Sequence, residues 1–164
     1  MNDETSVWQA SERELVIERT FRAPPQAIFA AWTNPDLLKL WWAPRSLGVS
    51  LFKCESDLRI GGAYRYEFGR DPKHPEVFSG NYLEIVANRR IVCTQIYERM
   101  RKTGEAVITV TFEEVQGKTR LTQRQLHPSK RVLEFFVESG MEHGLREALD
   151  QLQATAASLL AKSK

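Results

Sequence analysis

The sequence predicts a single α+β domain in which an antiparallel β-sheet packs against one long C-terminal helix. Apolar residues recur with a period of two between about residues 49 and 127, which is typical of half-buried strands. The period is helical near residues 25–42 and again after Pro128. Because a sheet with one apolar face and a helix with one apolar stripe bury those surfaces together, we expect the two to form a common core.

The N-terminal part predicts a strand followed by two short helices. The apolar run from Leu15 to Phe21 is typical of a strand, and Pro24-Pro25 end it and favour the start of a helix. Asn34 is placed to cap a second helix that reaches Trp41-Trp42. We expect residues 1–12 to be a flexible tail and residues 13–164 to be one domain.

The middle of the chain predicts the remaining strands. Tyr64, Tyr66 and Phe68 alternate with Arg65 and Glu67, as in a half-buried strand. Similar runs lie near residues 49–58, 77–86, 90–98, 108–112 and 118–127, and short turns separate them. Short links favour antiparallel pairing, so we expect a sheet of about six to seven strands.

The C-terminal segment predicts one helix over residues 130–161, capped by Ser129. Its apolar stripe comprises Val137, Met141, Leu145, Leu149, Leu152, Ala156 and Leu159. Gly140 and Gly144 interrupt this helix, although glycine destabilises helix interiors. Either the helix approaches the sheet closely at these glycines, or space is left for a ligand.

Several segments resemble the START-like, helix-grip superfamily, and more closely its branch named after the activator of the heat shock protein ATPase. The similar segments are residues 21–24, 29–35, 40–44, 57–62, 110–114 with 117–122, and 139–145, which read FRAP, FAAWTNP, LWWAP, DLRIGG, VTFEE with GKTRLT, and SGMEHGL. They occur in the same order and span about residues 14–160. The resemblance implies a helix-grip fold.

The resemblance also implies several functions without choosing one. Members of the superfamily commonly enclose a pocket for lipids, polyketides or other apolar molecules, and some are cyclases or aromatases. The chaperone-ATPase activator instead acts through protein contacts. This chain has Leu145 where the branch often has tryptophan, which would enlarge or reshape an interior space.

Composition and motifs exclude several classes of function. The net charge is +2, from 23 basic and 21 acidic residues, which does not favour a nucleic-acid partner. The sequence lacks a signal peptide and an apolar run of 18 residues, so we expect a cytoplasmic protein without membrane insertion. Cys54 and Cys93 are expected to be buried thiols.

No catalytic signature indicates an enzyme, although the sequence leaves that question open. His74, His127 and His143 lack metal-ligand spacing. We therefore assign no catalytic residue, no metal and no cofactor.

The strand over residues 118–127 offers two interpretations. If Leu121 faces the interior, Gln123 and Gln125 do so too, and their amides need partners. If Arg120 and Arg124 face inward instead, an anionic ligand is indicated. We favour inward glutamines, because unpaired buried arginines are costly.

Together these features predict that the chain binds a small, mostly apolar ligand between the sheet and the C-terminal helix. The predicted cavity residues are Tyr64, Tyr66, Gln123, Gln125, Met141 and Leu145. Aromatic bodies with a few polar groups are typical of ligand sites. The alternatives are a protein-interaction module acting on a chaperone ATPase and a cyclase- or aromatase-like enzyme using the same cavity. A homodimer is compatible with either role.

Overall fold

A computed structural model describes residues 4–162 and has an eight-stranded antiparallel sheet with the strand order β1-β2-β8-β7-β6-β5-β4-β3. The strands are β1 Ser6–Gln9, β2 Glu14–Phe21, β3 Ser50–Ser56, β4 Ala63–Gly69, β5 Glu76–Val86, β6 Arg90–Tyr97, β7 Ala106–Val115 and β8 Lys118–Leu126. The helices are α1 Pro25–Thr33, α2 Pro35–Trp41, α3 Lys130–Glu138 and α4 Met141–Lys162, with 3-10 turns at Arg45–Leu47 and Glu98–Thr103. The predicted α+β helix-grip fold is confirmed.

The eighth strand lies inside the segment predicted to be a flexible tail. β1 pairs antiparallel with β2, with Val7 opposite Ile17 and Trp8 opposite Val16. This pairing explains the strand, because it satisfies backbone groups that the edge of β2 would otherwise expose. Residues 1–3 of the same segment lie outside the described residues.

The two short helices begin and end as their sequence predicts. Pro25 is the first residue of α1, where a missing backbone N–H is harmless. The Asn34 side chain accepts a hydrogen bond from the Asp36 backbone N–H at 2.9 Å and so caps α2. No helix within residues 4–162 is long and apolar enough to cross a membrane.

The deepest part of the core lies where α1 and α4 cover β2, β7 and β8. Ile17, Leu121 and Leu152 each have no exposed surface. Leu149 and Ala156 on α4 belong to the same cluster. Burial of such side chains is worth about 1.5–3 kcal/mol each, so this region carries much of the stability.

The single C-terminal helix predicted over residues 130–161 is divided in two. Gly140 has a φ of +81°, a left-handed conformation that ends α3 and lets α4 begin at Met141. The break turns Val137 away from the predicted stripe, so 47% of this residue is exposed. The glycine therefore explains why the helical pattern does not give one continuous helix.

The glycine at position 144 is explained by its close contact with Pro44 and Leu47, which are distant from it in the sequence. A Cβ at Gly144 would lie 3.3 Å from Cγ of Pro44 and 3.7 Å from Cδ1 of Leu47. The close approach is thus to the segment that follows α2. Farther along α4, the Gln151 amide donates to the carbonyls of Trp41 and Ala43 at 2.8 Å each, which fixes that segment against the helix.

Candidate ligand-binding site

The strand β8 presents its glutamines, and not its arginines, to the face of the sheet that packs against α1 and α4, which we call the concave face. Leu121 is fully buried, Gln125 is 7% exposed and Arg124 is exposed. Gln123 lies between Ile17 and Val110 in the register, and Gln125 lies between Leu15 and Ile108. The favoured interpretation of this strand, with its glutamines inward, therefore agrees with the structure.

Three polar side chains form a hydrogen-bonded chain along this row. The Gln125 amide Nε2 donates to Gln123 Oε1 at 2.8 Å, and Gln125 Oε1 lies 3.2 Å from His127 Nε2. With Gln125 Oε1 facing the imidazole, this hydrogen bond requires the tautomer in which His127 Nε2 carries the proton and donates. His127 Nδ1 is then an unprotonated nitrogen with a free lone pair.

His127 is neutral and one of its nitrogens lacks a partner. The residue is 2% exposed, and burial lowers the pKa of the imidazole to about 4. Within residues 4–162, the buried side-chain nitrogens without a hydrogen-bond partner are His127 Nδ1 and Arg19 Nε. Arg19 has further nitrogens, one of which bonds to Asp150 and Thr5, whereas His127 has only Nδ1 left.

The tyrosine hydroxyls on the same face are already engaged. Tyr64 is buried, and its hydroxyl donates to the Thr94 carbonyl at 2.5 Å. The hydroxyls of Tyr82 and Ser56 lie 2.7 Å apart, and the Tyr66 hydroxyl bonds to Tyr82. Burial raises the pKa of Tyr64 and Tyr66 well above the ordinary value. These hydroxyls stay protonated at neutral pH and mainly fix the rings.

A continuous row of aromatic side chains crosses β4, β5 and β6 and ends on α3. We name this row the aromatic track, and it consists of Trp42, Tyr66, Phe68, Phe78, Tyr97 and Phe136. Neighbouring ring centroids along it lie 5.0–5.9 Å apart, and the Phe136 ring lies 5.4 Å from that of His127. These are the separations of edge-to-face and tilted aromatic pairs.

All six side chains of the aromatic track remain partly accessible to solvent. The register explains their alignment, because Tyr66 pairs with Phe78 and Phe78 pairs with Tyr97 on one face. The helix α4 covers the other half of that face and leaves the track incompletely covered. Tyr64 lies beneath the track, with its ring centroid 5.2 Å from that of Tyr66.

Met141 and Leu145 lie on the first turns of α4 and are half-buried against the core. Their positions follow from the break at Gly140, which starts α4 at Met141. The structure thus places Tyr64, Tyr66, Gln123 and Gln125 on the concave sheet face, and Met141 and Leu145 on the helix that packs against the core.

A narrow crevice opens beside His127, under the 3-10 turn Glu98–Thr103. Its volume is about 10 Å³, close to that of a single water. The lining residues are Gln95, Tyr97, Met100, Thr103, Gly104, Ala106, His127, Pro128, Val132 and Phe136, none of which is charged. The crevice therefore joins the end of the aromatic track to the end of the polar chain.

A larger depression of about 730 Å³ lies elsewhere, between the start of α1, the β5–β6 turn and β7. It is open to solvent, and its walls include Arg89, Glu113 and Glu114. The two glutamates are exposed, as expected for a solvated surface. We therefore place the candidate site on the concave face.

The described residues of the concave face supply no activated nucleophile. Cys54 and Cys93 are free, and burial raises the pKa of each thiol to about 11, so both are protonated at neutral pH. Within residues 4–162, no group of three or more His, Cys, Asp or Glu side chains could hold a metal ion. The arrangement is suited to binding by shape and hydrogen bonds.

Sequence reasoning missed Trp42, Phe78 and Tyr97 as members of the site, and it considered His127 only as a metal ligand, for which the spacing is unsuitable. The period of two that places Gln123 and Gln125 inward continues to residue 127, so that signal was sufficient for His127. The aromatic residues require knowledge of strand register, which the sequence does not supply.

Comparison with known proteins agrees with the fold. A sequence model of the family described as "Activator of Hsp90 ATPase homolog 1-like protein" matches residues 22–157. A crystal structure of a Rhodobacter sphaeroides protein is similar with a TM-score of 0.86 and 23% identity, over 94% of this chain and 99% of that one.

Two further solved structures share the fold. A Nitrosomonas europaea protein has a TM-score of 0.80 and 22% identity, over 92% of this chain and 98% of its own. An AHSA1-like protein from Aeromonas hydrophila has a TM-score of 0.70 and 18% identity, over 89% and 93% of the two chains. At these identities the similarity concerns the fold alone. No curated protein matches the sequence.

Proposed function

Because the chain belongs to the Activator of Hsp90 ATPase homolog 1-like family, we propose that it binds a small, mostly apolar molecule between β4–β6 and the C-terminal helices. The observation that carries this proposal is the aromatic track, which stays partly accessible beside the fully buried Ile17 and Leu121 on the same sheet face. The proposed contacts are Tyr66, Met141 and Leu145, with Tyr64, Gln123 and Gln125 behind them, joined by the remaining residues of the track.

Aromatic side chains gain most from complete burial, so partly covered rings leave apolar surface in contact with water. Six such rings in one contiguous row leave apolar surface that a bound molecule would remove from water. Ligand sites are typically lined by apolar and aromatic side chains with a few polar groups. The aromatic track has this composition, and the chain of Gln123, Gln125 and His127 supplies the polar groups.

A ligand needs more room than the crevice of about 10 Å³ offers. The helix α3 is the element best suited to move, because only two of its nine residues, Val132 and Leu133, are buried. It is bounded by Pro128 and by Gly140, whose left-handed conformation suits a hinge. We therefore propose that α3 moves outward when the ligand binds.

The interaction module acting on a chaperone ATPase remains the second hypothesis. The exposed Phe135 on α3 favours it, because its ring lies 5.2 Å from that of the partly accessible Phe136, and contiguous exposed apolar side chains are typical of contact surfaces. It becomes the preferred function if the track does not bind apolar molecules. For a cyclase or aromatase the described residues supply no activated group. We also propose a cytoplasmic location, supported by the free thiols of Cys54 and Cys93.

The proposal is tested with 2-methoxynaphthalene, a planar apolar probe, by isothermal titration calorimetry. Leu145→Trp should fill the space that the proposal assigns to the ligand and weaken binding about tenfold or more, equivalent to about 1.4 kcal/mol. Leu159→Trp is the matched control, since it lies 14 residues or about 21 Å farther along the same helix.

The control should bind the probe like the parent protein, and both variants should retain nearly the parent melting temperature. If the parent protein does not bind the probe, or if Leu145→Trp binds it as tightly as Leu159→Trp, the proposed site is wrong.

A further inference from the structure

The polar chain on β8 ends in an unused hydrogen-bond acceptor. The Gln125 amide donates to Gln123 Oε1, and Gln125 Oε1 accepts from His127 Nε2. The remaining ring nitrogen, His127 Nδ1, has a lone pair without a partner. Native proteins leave few buried polar atoms without partners, and each exception needs an explanation. The neighbouring residues of β8 that face the same way, Leu121 and Thr119, leave no such atom unpaired.

The surroundings of this nitrogen define the chemistry that it can accept. The Phe136 ring lies 5.4 Å from the His127 ring, and Tyr97 and Val132 line the same crevice. A carboxylate would meet a lone pair, and no residue lining the crevice is cationic, while the Arg13 guanidinium is engaged with the His127 backbone carbonyl at 3.0 Å. An ammonium group would be desolvated without a counter-ion. A neutral donor, such as a hydroxyl, meets neither cost.

We propose that the crevice receives the hydroxyl of a neutral, planar apolar alcohol or phenol, whose O–H donates to His127 Nδ1 while its body lies along the aromatic track. This inference rests on the proposed function and assigns the ligand its polar group. Gln125 acts as a positioning residue, because its oxygen accepts from Nε2 and thereby keeps Nδ1 unprotonated. Gln123 holds Gln125 in that orientation through its own oxygen.

The test compares two probes that differ only at the oxygen, 2-naphthol and 2-methoxynaphthalene. Both have the same ring system, but only the naphthol can donate a hydrogen bond. We expect the parent protein to bind 2-naphthol about tenfold more tightly, as measured by calorimetry at neutral pH. An equal affinity would overturn the inference while leaving the proposed function intact. Failure of both probes to bind would contradict the two together.

Two substitutions separate the nitrogens of His127. His127→Gln keeps an amide near the position of Nε2, facing Gln125, but removes the acceptor at Nδ1. His127→Asn instead keeps a polar group near Nδ1. We expect the preference for 2-naphthol to disappear in the glutamine variant and to be partly retained in the asparagine variant. Equal preferences in both variants would show that Nδ1 does not contact the hydroxyl.

One measurement on the unmodified protein covers the case in which these variants fail to fold. Nitrogen NMR of the His127 ring distinguishes a protonated from an unprotonated nitrogen. We expect Nδ1 to be unprotonated in the free protein and its resonance to move on addition of 2-naphthol but not of 2-methoxynaphthalene. A protonated Nδ1, or an equal response to the two probes, would overturn the inference.

Discussion

The two halves of the concave face are built from similar strands but differ in how completely their side chains are buried. Around β2, β7 and β8, aliphatic side chains such as Ile17 and Leu121 meet Leu152 of α4, and all three are fully buried. Around β4, β5 and β6, the side chains of the aromatic track occupy the equivalent face and remain partly accessible, whereas Tyr64 and Tyr82 beside them are buried. Stability is therefore concentrated in the aliphatic half, and the aromatic half keeps surface available for a ligand.

Two adjacent tryptophans illustrate the same division. Trp41 is 2% exposed, and its indole N–H donates to the Ala31 carbonyl at 2.9 Å, which fixes α2 to α1. Trp42 is half-buried and makes edge contacts with Tyr66, Phe68 and Phe78. One indole serves the core, and its neighbour starts the aromatic track.

The largest expected effect uses one substitution at two positions of α4. Leu152→Ala removes a fully buried side chain and should lower the free energy of unfolding by about 2–5 kcal/mol. Leu145→Ala removes a half-buried one and should cost about 1 kcal/mol, because less packing is lost. Urea denaturation measures both. Equal losses of stability at the two positions would show that α4 packs equally tightly along its length and that the aromatic half of the sheet face is covered like the aliphatic half.

A smaller effect is expected from acid, through the neutral His127. Its pKa is about 4 in the folded protein and about 6.5 when unfolded, so the unfolded chain binds the extra proton first. Stability should therefore be unaffected by this group above about pH 6.5 and should fall as the pH decreases toward 4. Between about pH 7 and pH 5 the loss should be about 2 kcal/mol.

Carboxylates titrate near the lower end of this range, so the effect of His127 is obtained by difference. His127→Gln removes the titrating group and should lower stability much less over the same interval, as followed by urea denaturation at each pH. A parent protein and a variant with parallel pH profiles would mean that His127 already titrates normally in the folded state.

The order of elements could be predicted from the sequence because it depends on local signals. The periods of two and 3.6, together with Pro25, Asn34 and Ser129, determine where most strands and helices begin. The sequence shows a glycine at position 140, but it does not show that Gly140 adopts a left-handed conformation and ends the helix, because glycine is also tolerated in a continuous helix. β1 was missed since its pairing, rather than its composition, makes it a strand.

The site was only partly predictable, for a different reason. The alternation along β8 was sufficient to place Gln123 and Gln125 inward. The alignment of Tyr66 with Phe78 and Tyr97 depends on the register between three strands, and Trp42 reaches them from another part of the chain. No local pattern in the sequence indicates which residues of different strands become neighbours. The side chains of each strand can therefore be predicted, but the surface that they form together cannot.

The central claim, that the aromatic half binds a ligand and the aliphatic half does not, is tested most directly by one matched pair of variants. Phe78→Leu removes a ring from the middle of the aromatic track, and Phe29→Leu removes a buried ring that packs edge-on against Phe112. The measurement is the Kd of 2-methoxynaphthalene by calorimetry. The account predicts a Kd about tenfold higher for Phe78→Leu and an unchanged Kd, with a lower melting temperature, for Phe29→Leu. The same Kd in both variants would contradict it.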